Sequence, residues 1–187
     1  MPYSFNRRAF LLAAAALCTP AILAPIPAHA ALPADVAAKV ETYKKRLVEW
    51  AAHPTIVAAV KESNAKGGLI PGMTNGKWDG LAEADPVVTA ILATPASRLV
   101  KQWEADKGIN KLFVRDEKGN MVAGSEKSLL YNAAARPPFR EAMKGAVWAA
   151  DEIRPDPTTQ VRSVHVSAPV LDGGKVIGVL HTAVTAE

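Results

Sequence analysis

Beyond residue 30 the sequence holds three histidines, His53, His165 and His181, its first candidates for metal binding or proton transfer. A protein metal site wants three or more converging ligands, with thiolates or carboxylates beside the imidazoles. The chain has one cysteine, Cys18, and no HExxH, GxSxG or glycine-rich phosphate loop. No metal and no cofactor is therefore expected. His165 and His181 lie on two apolar runs joined by Asp172-Gly173-Gly174-Lys175, so strand register decides whether they meet. With the two glycines as the turn, His165 faces Thr182 and His181 faces Val166, on opposite sheet faces; a one-residue change makes them partners. A hydrolase or metal-dependent enzyme would need that pair, whereas pocket or core histidines would not. Trp78, in a glycine-rich stretch, either caps a pocket or anchors its loop.

The elements that would position these groups follow from periodicity. Val36, Val40, Tyr43, Leu47 and Trp50 step by four and three, one stripe of an amphipathic helix over 35–50. Pro54 interrupts or kinks it, and the pattern resumes through Ile56, Val57 and Val60 until Asn64 and Gly67-Gly68. Residues 67–80 carry five glycines and read as a polar loop. Two helical segments follow, 86–92 and 96–103, the second placing Trp103, like Trp50, in the core. From Leu112 the period becomes two. The runs 112–114, 121–124, 147–153, 161–170 and 176–185 read as strands, with a short helix over 139–144 closed by Gly145. Helices first and antiparallel strands last predict an α+β fold, a long N-terminal helix covering a five-stranded antiparallel sheet.

Of 187 residues, 49% are hydrophobic and 21% charged, with 22 Lys+Arg against 18 Asp+Glu. That balance excludes a disordered chain and a polybasic nucleic-acid binder. Residues 1–30 hold Arg7 and Arg8, no acid, and an apolar run from Ala9 to Leu23. Asn6-Arg7-Arg8-Ala9-Phe10-Leu11 resembles a twin-arginine export motif, an ordinary Sec signal being the alternative. Ala28-His29-Ala30 places cleavage before Ala31. A lipid anchor at Cys18 is disfavoured by Leu17. The expected product is one domain over 31–187 in the periplasm, with no membrane insertion after cleavage and no nucleic-acid partner.

Three further segments carry a resemblance: Arg136-Pro137-Pro138-Phe139-Arg140-Glu141-Ala142-Met143-Lys144-Gly145, Val166-Ser167-Ala168-Pro169-Val170, and Gly173-Gly174-Lys175-Val176-Ile177-Gly178-Val179-Leu180. With Leu112–Asp116, Gly119-Asn120 and His53-Pro54, they resemble the extracytoplasmic Cache (PDC, PAS-like) sensor family over nearly all of residues 31–187. The resemblance implies a long helix on a five-stranded antiparallel PAS-like sheet enclosing a small ligand. It also implies signal transduction, here through a partner such as a membrane receptor or histidine kinase, since nothing follows Glu187. Amino-acid-binding relatives use an arginine at the place of Arg136 to grip the ligand carboxylate, with Phe139 replacing part of an aromatic pair. They hold the ligand ammonium with an aspartate where this chain has Ala183. Arg154 could add a second cation or lie on the surface, and His165 and His181 join the candidate ligand-binding set. The expectation is a non-enzymatic sensor for a small organic anion such as a carboxylate, refusing zwitterionic amino acids unless another acid, Asp151 or Glu152, replaces the missing charge. An interaction module with a vestigial pocket is the alternative.

Overall fold

The computed structural model describes Met1 and residues 31–187. The segment expected to be an export signal, with Arg7, Arg8 and Cys18, falls outside the described residues. The N-terminal helical pattern forms two helices, α1 (Ala34–Ala51) and α2 (Pro54–Lys66). Pro54 has no N–H to continue α1 and forces the preceding residue to be extended. His53 accordingly adopts φ −62°, ψ 131°, and its Nδ1 accepts the Thr55 N–H at 3.2 Å, capping α2. Val36, Val40, Tyr43 and Leu47 are buried as the stripe predicts. Trp50 and Trp103 are half-buried at the edge of this layer, stacked on each other with centroids 5.0 Å apart.

The glycine-rich stretch is not a solvated loop. It contains α3 (Asn75–Asp79), capped by Thr74, and buries Trp78 completely among Val88, Ile91, Phe113, Met121 and Tyr131. Leu69, Ile70, Met73 and Leu81 pack around that cluster, so four scattered apolar residues outweighed the glycines. Helices α4 (Pro86–Leu92) and α5 (Pro95–Glu104) follow, capped by Asp85 and Thr94.

Strands β1 (Ile109–Asp116), β2 (Met121–Gly124), β3 (Trp148–Ala149), β4 (Arg154–Pro155), β5 (Arg162–Asp172) and β6 (Lys175–Thr185) form one antiparallel sheet, with α6 (Pro137–Ala142) between β2 and β3. The order is β2-β1-β6-β5-β3, with β4 also pairing β5. The strand expected over 147–153 is thus two dipeptides. After Trp148 and Ala149 pair with Ser167 and Val166, the chain bends at Asp151-Glu152 and returns at Arg154-Pro155, where Pro155 has no N–H to lengthen the ladder.

Leu112, Val114, Val164, Val166, Ala168, Leu180 and Val184 point toward α1, α2 and α5 and make the main core. The opposite face carries Phe113, Arg115, His165, Val179, His181 and Ala183 beneath α6 and the β2–α6 loop.

The β5–β6 turn pairs Asp172 with Lys175, as expected for a two-glycine turn, but the register does not persist. Past an irregularity beside Val170/Leu171, Ile177 has no partner and every later pair is offset by one: Ser167 faces His181, and His165 faces Ala183. Such a bulge turns the remaining side chains over. It sets His165 and His181 diagonally on one face, where the uninterrupted hairpin would have separated them. Asn64 at the end of α2 secures the bulge by donating Nδ2 to the Ile177 carbonyl at 2.8 Å, while its Oδ1 accepts the Glu117 N–H at 2.9 Å.

Candidate functional site

A cavity of about 260 Å³ lies between the open sheet face and the segments crossing it. Phe113, Arg115, His165 and His181 form its floor. Ser128, Leu129 and Leu130, then Arg136, Pro138 and Phe139 at the start of α6, form one wall. Asp156 and Pro157, from the strap between β4 and β5, form the other, and Lys111 and Glu126 complete it.

Arg115 is 1% exposed and holds the site together. Its Nη1 donates to the carbonyls of Leu130 and Tyr131, both at 2.9 Å, its Nη2 to Ser128 Oγ at 2.7 Å, and its Nε to His181 Nε2 at 3.2 Å. One planar guanidinium therefore ties the cavity floor to the loop that walls it. Burial brings its pKa down to about 10, opposed by Asp116, so it remains charged at neutral pH. Trp78 positions the same loop, donating Nε1 to the Ser128 carbonyl at 2.7 Å. It is a loop anchor and does not line the cavity.

His181 accepts from Arg115, so Nε2 is unprotonated and the ring is neutral with its proton on Nδ1. Desolvation, the Arg115 charge and His165 push its pKa well below the ordinary range. His165 is an exposed residue lining the cavity, and its pKa is also lowered, by desolvation and then by Arg136. Opposite His181, Ser167 is fully buried and its Oγ has no hydrogen-bond partner among the described residues.

Lys111 reaches the cavity from an unusual backbone. It is the extra residue where the β1–β6 register shifts between Asn110 and Leu112, and its φ is +63°, the left-handed region that side chains other than glycine seldom adopt. The Thr182 hydroxyl donates to the carbonyl of this bulge. The Lys111 ammonium lies 2.9 Å from Asp156 Oδ1 and 3.1 Å from Glu126 Oε1, and donates to Thr158 Oγ1. Burial tends to raise the Asp156 carboxyl. The Thr159 N–H, Lys111 and Thr158 outweigh it and hold the carboxyl well below the usual carboxylate range.

The residues expected from the sequence divide accordingly. Arg136, His165, His181 and Phe139 line the main cavity. Arg136 is the exposed N-cap residue of α6, and its guanidinium makes no hydrogen bond or ion pair with another described residue. Phe139 is 6% exposed and packs on Ala142 and Val179. Ala183 lines a separate void of about 50 Å³ that shares Lys111 and Asp156 with the main cavity. Arg154 is not part of the wall: its side chain is 68% exposed and pairs with Glu152, because the two-residue β4 holds it on the outer edge of the sheet. Asp151 lines a depression beside α1, and neither it nor Glu152 reaches the cavity.

Sequence reasoning missed Arg115, Lys111 and Asp156. The signal for Arg115 was present, since it shares strand parity with Phe113 on a strand covered on both faces. Asp156 sits in a segment that reads only as a connection.

No family model and no curated protein matches the chain. Solved structures to which the chain is similar include sensor domains. It is similar to the sensor domain of the Vibrio cholerae histidine kinase DctB, at 16% identity and TM-score 0.42, over 81% of this chain and 57% of that one. It is similar to the sensory domain of the Campylobacter jejuni chemoreceptor Tlp3, solved with isoleucine bound, at 12% identity and TM-score 0.42, over 82% of this chain and 64% of that one. A third is the ligand-binding domain of the Pseudomonas aeruginosa amino acid chemoreceptor PctC in complex with GABA, at 15% identity and TM-score 0.40, over 79% of this chain and 62% of that one. The chain thus spans less than two thirds of each. Helices packed on one antiparallel sheet are the architecture that the sequence resemblance implied.

Proposed function

We infer that this chain is a Cache-type sensor domain that binds a small organic carboxylate in the cavity under α6 and relays occupancy to a partner, a membrane receptor or histidine kinase, in the periplasm. The reading rests on the uncommitted guanidinium of Arg136 at the cavity wall. Every other charged group lining the cavity has a partner: Arg115 is spent on the loop and His181, and Asp156 and Glu126 are spent on Lys111. Arg136 is the cation left for a ligand, and a guanidinium grips a carboxylate with two parallel hydrogen bonds. The neutral His165 and His181 add polar contacts without repelling an anion. A cavity of about 260 Å³ suits a ligand of a few carbon atoms.

The test is thermal-shift screening of small mono- and dicarboxylates against neutral and amine analogues. A ligand at 100 times its dissociation constant adds about 2.7 kcal/mol of stability. Arg136→Ala should abolish the response while leaving the melting temperature of the free protein within about 2 °C, because the side chain supports nothing else. Silence to every carboxylate would favour the interaction-module alternative. A large loss of stability on Arg136→Ala would make the arginine structural.

A further inference from the structure

The Lys111 ammonium donates hydrogen bonds to Asp156 Oδ1 and Thr158 Oγ1 and forms an ion pair with Glu126 Oε1 as well. It lines the cavity, yet two carboxylates already meet its single charge before any anion enters. Its backbone is held in a left-handed bulge, a conformation unfavourable for lysine, and the result is to aim the side chain at those acceptors. The acceptors come from two segments that nothing else joins at this point, the β2–α6 loop with Glu126 and the strap with Asp156 and Thr158. Asp156 is only 12% exposed and lines both the main cavity and the void beside Ala183. Without Lys111 the cavity would present two carboxylates and a hydroxyl converging on one empty place the size of an ammonium group.

We propose that Lys111 is the specificity-determining residue of the cavity: its tethered ammonium occupies the place a ligand's ammonium would take, and so restricts the site to anions. This rests on the carboxylate reading above and deepens it. The cavity carries both halves of a zwitterion site, Arg136 for the carboxylate and the Asp156–Glu126–Thr158 cluster for the ammonium, and the second half is filled from within the chain. A free amine must displace a lysine that is tethered at the place and already paired there, whereas a carboxylate meets no such competitor.

The experiment compares wild type, Lys111→Ala and Lys111→Asn by calorimetry, asparagine being the side chain that best tolerates a left-handed backbone. The probes are n-butylammonium chloride, GABA and butyrate. Wild type should show no heat with butylammonium. Both variants should bind it, and should bind GABA at least tenfold more tightly than wild type does. Adding Asp156→Asn and Glu126→Gln to either variant should remove the gain. A complementary variant avoids an unpaired acid pair altogether: Asp156→Asn/Glu126→Gln with Lys111 intact frees the ammonium and should tighten butyrate binding at least threefold.

Folded Lys111 variants that bind no amine, or an acid-less variant with unchanged butyrate affinity, would overturn the proposal. If the Lys111 variants fail to fold, the acid-less variant alone decides. The two readings fail separately. Amine binding gained by Lys111→Ala in a protein that binds no carboxylate would sink the anion-sensor reading and leave the role of Lys111 standing. Butyrate binding by wild type with no amine gain would do the reverse.

Discussion

Replacing Arg115 by methionine keeps most of the side chain's apolar length and removes every donor. Four acceptors then lose a hydrogen bond, but they are not equally exposed to the loss. The Tyr131 carbonyl still accepts the Met121 N–H at 2.8 Å, and Ser128 Oγ can rotate to a new partner. The Leu130 carbonyl and His181 Nε2 have no such recourse. Leaving a buried acceptor unpaired costs about 1–3 kcal/mol, so the gross loss is about 2–6 kcal/mol. Relief from burying a charge in the floor of the cavity offsets part of it, and we expect a net loss of about 3 kcal/mol. For a domain of this size each kcal/mol moves the midpoint by roughly 2–4 °C, which gives a fall of about 6–12 °C by calorimetry. A second readout is specific to the geometry. The Arg115 charge is one of the forces holding His181 neutral, so in Arg115→Met the ring should titrate at higher pH when followed by NMR, with carboxylate binding weakened at least tenfold because the wall at 128–131 loses its tether. Arg115→Lys should recover little, since three donors on a compact head cannot span four acceptors on two segments. A melting temperature within 2 °C of wild type together with an unmoved His181 titration would refute the account of Arg115 as the tie between floor and wall.

Acidification should weaken the fold in two steps. His165 and His181 titrate below their unfolded value of 6.5. The unfolded chain therefore binds protons the folded one refuses, and stability falls as pH drops through 6.5, by up to about 1.4 kcal/mol per pH unit for His181. Asp156 adds a second loss at much lower pH, as its depressed carboxyl is protonated and Lys111 is released. Denaturant midpoints measured from pH 8 to pH 4 should show the first step, and His181→Gln should flatten it; an unchanged slope would discredit the assignment of His181. Ala183→Asp should destabilise the domain by about 2–4 kcal/mol, because the void it enters already contains Asp156. A stable Ala183→Asp variant with new affinity for amino acids would mean that Lys111 divides itself between the two acids.

The parts of this architecture set by local chemistry were legible beforehand. The stripe of α1, the break at Pro54, the Gly173-Gly174 turn and the α+β order follow from periodicity and from what proline and glycine do to a backbone. The split of the strand after Ala149 was not legible, because alternation records only that residues can pair and not whether a partner is long enough. Trp78 was ambiguous for a similar reason: its burial depends on Leu69, Ile70, Met73 and Leu81 gathering around it, and no spacing rule connects them. Within the site, Arg136, His165 and His181 were found but not their relation. That relation depends on one unpaired residue, Ile177, which a distant side chain, Asn64, holds in place. Lys111 and Asp156 are 45 residues apart, and neither belongs to a motif.

Two extra residues, Lys111 on β1 and Ile177 on β6, carry a consequence for how this fold can change over time. Which residues look into the cavity and which into the helices is fixed by counting along the strands, so substitution and length change have unequal effects. Exchanging His165, His181 or Phe113 for other side chains re-lines the cavity while the helical layer is untouched. Removing Ile177 would transpose β5 against β6, carrying His165 and Ser167 under the helices and turning Val164, Val166 and Ala168 toward the cavity. The cavity is therefore free to drift in chemistry and closed to drift in strand length, and a lineage could change what the cavity accepts through a handful of point changes on one face while its bulges stayed where they are.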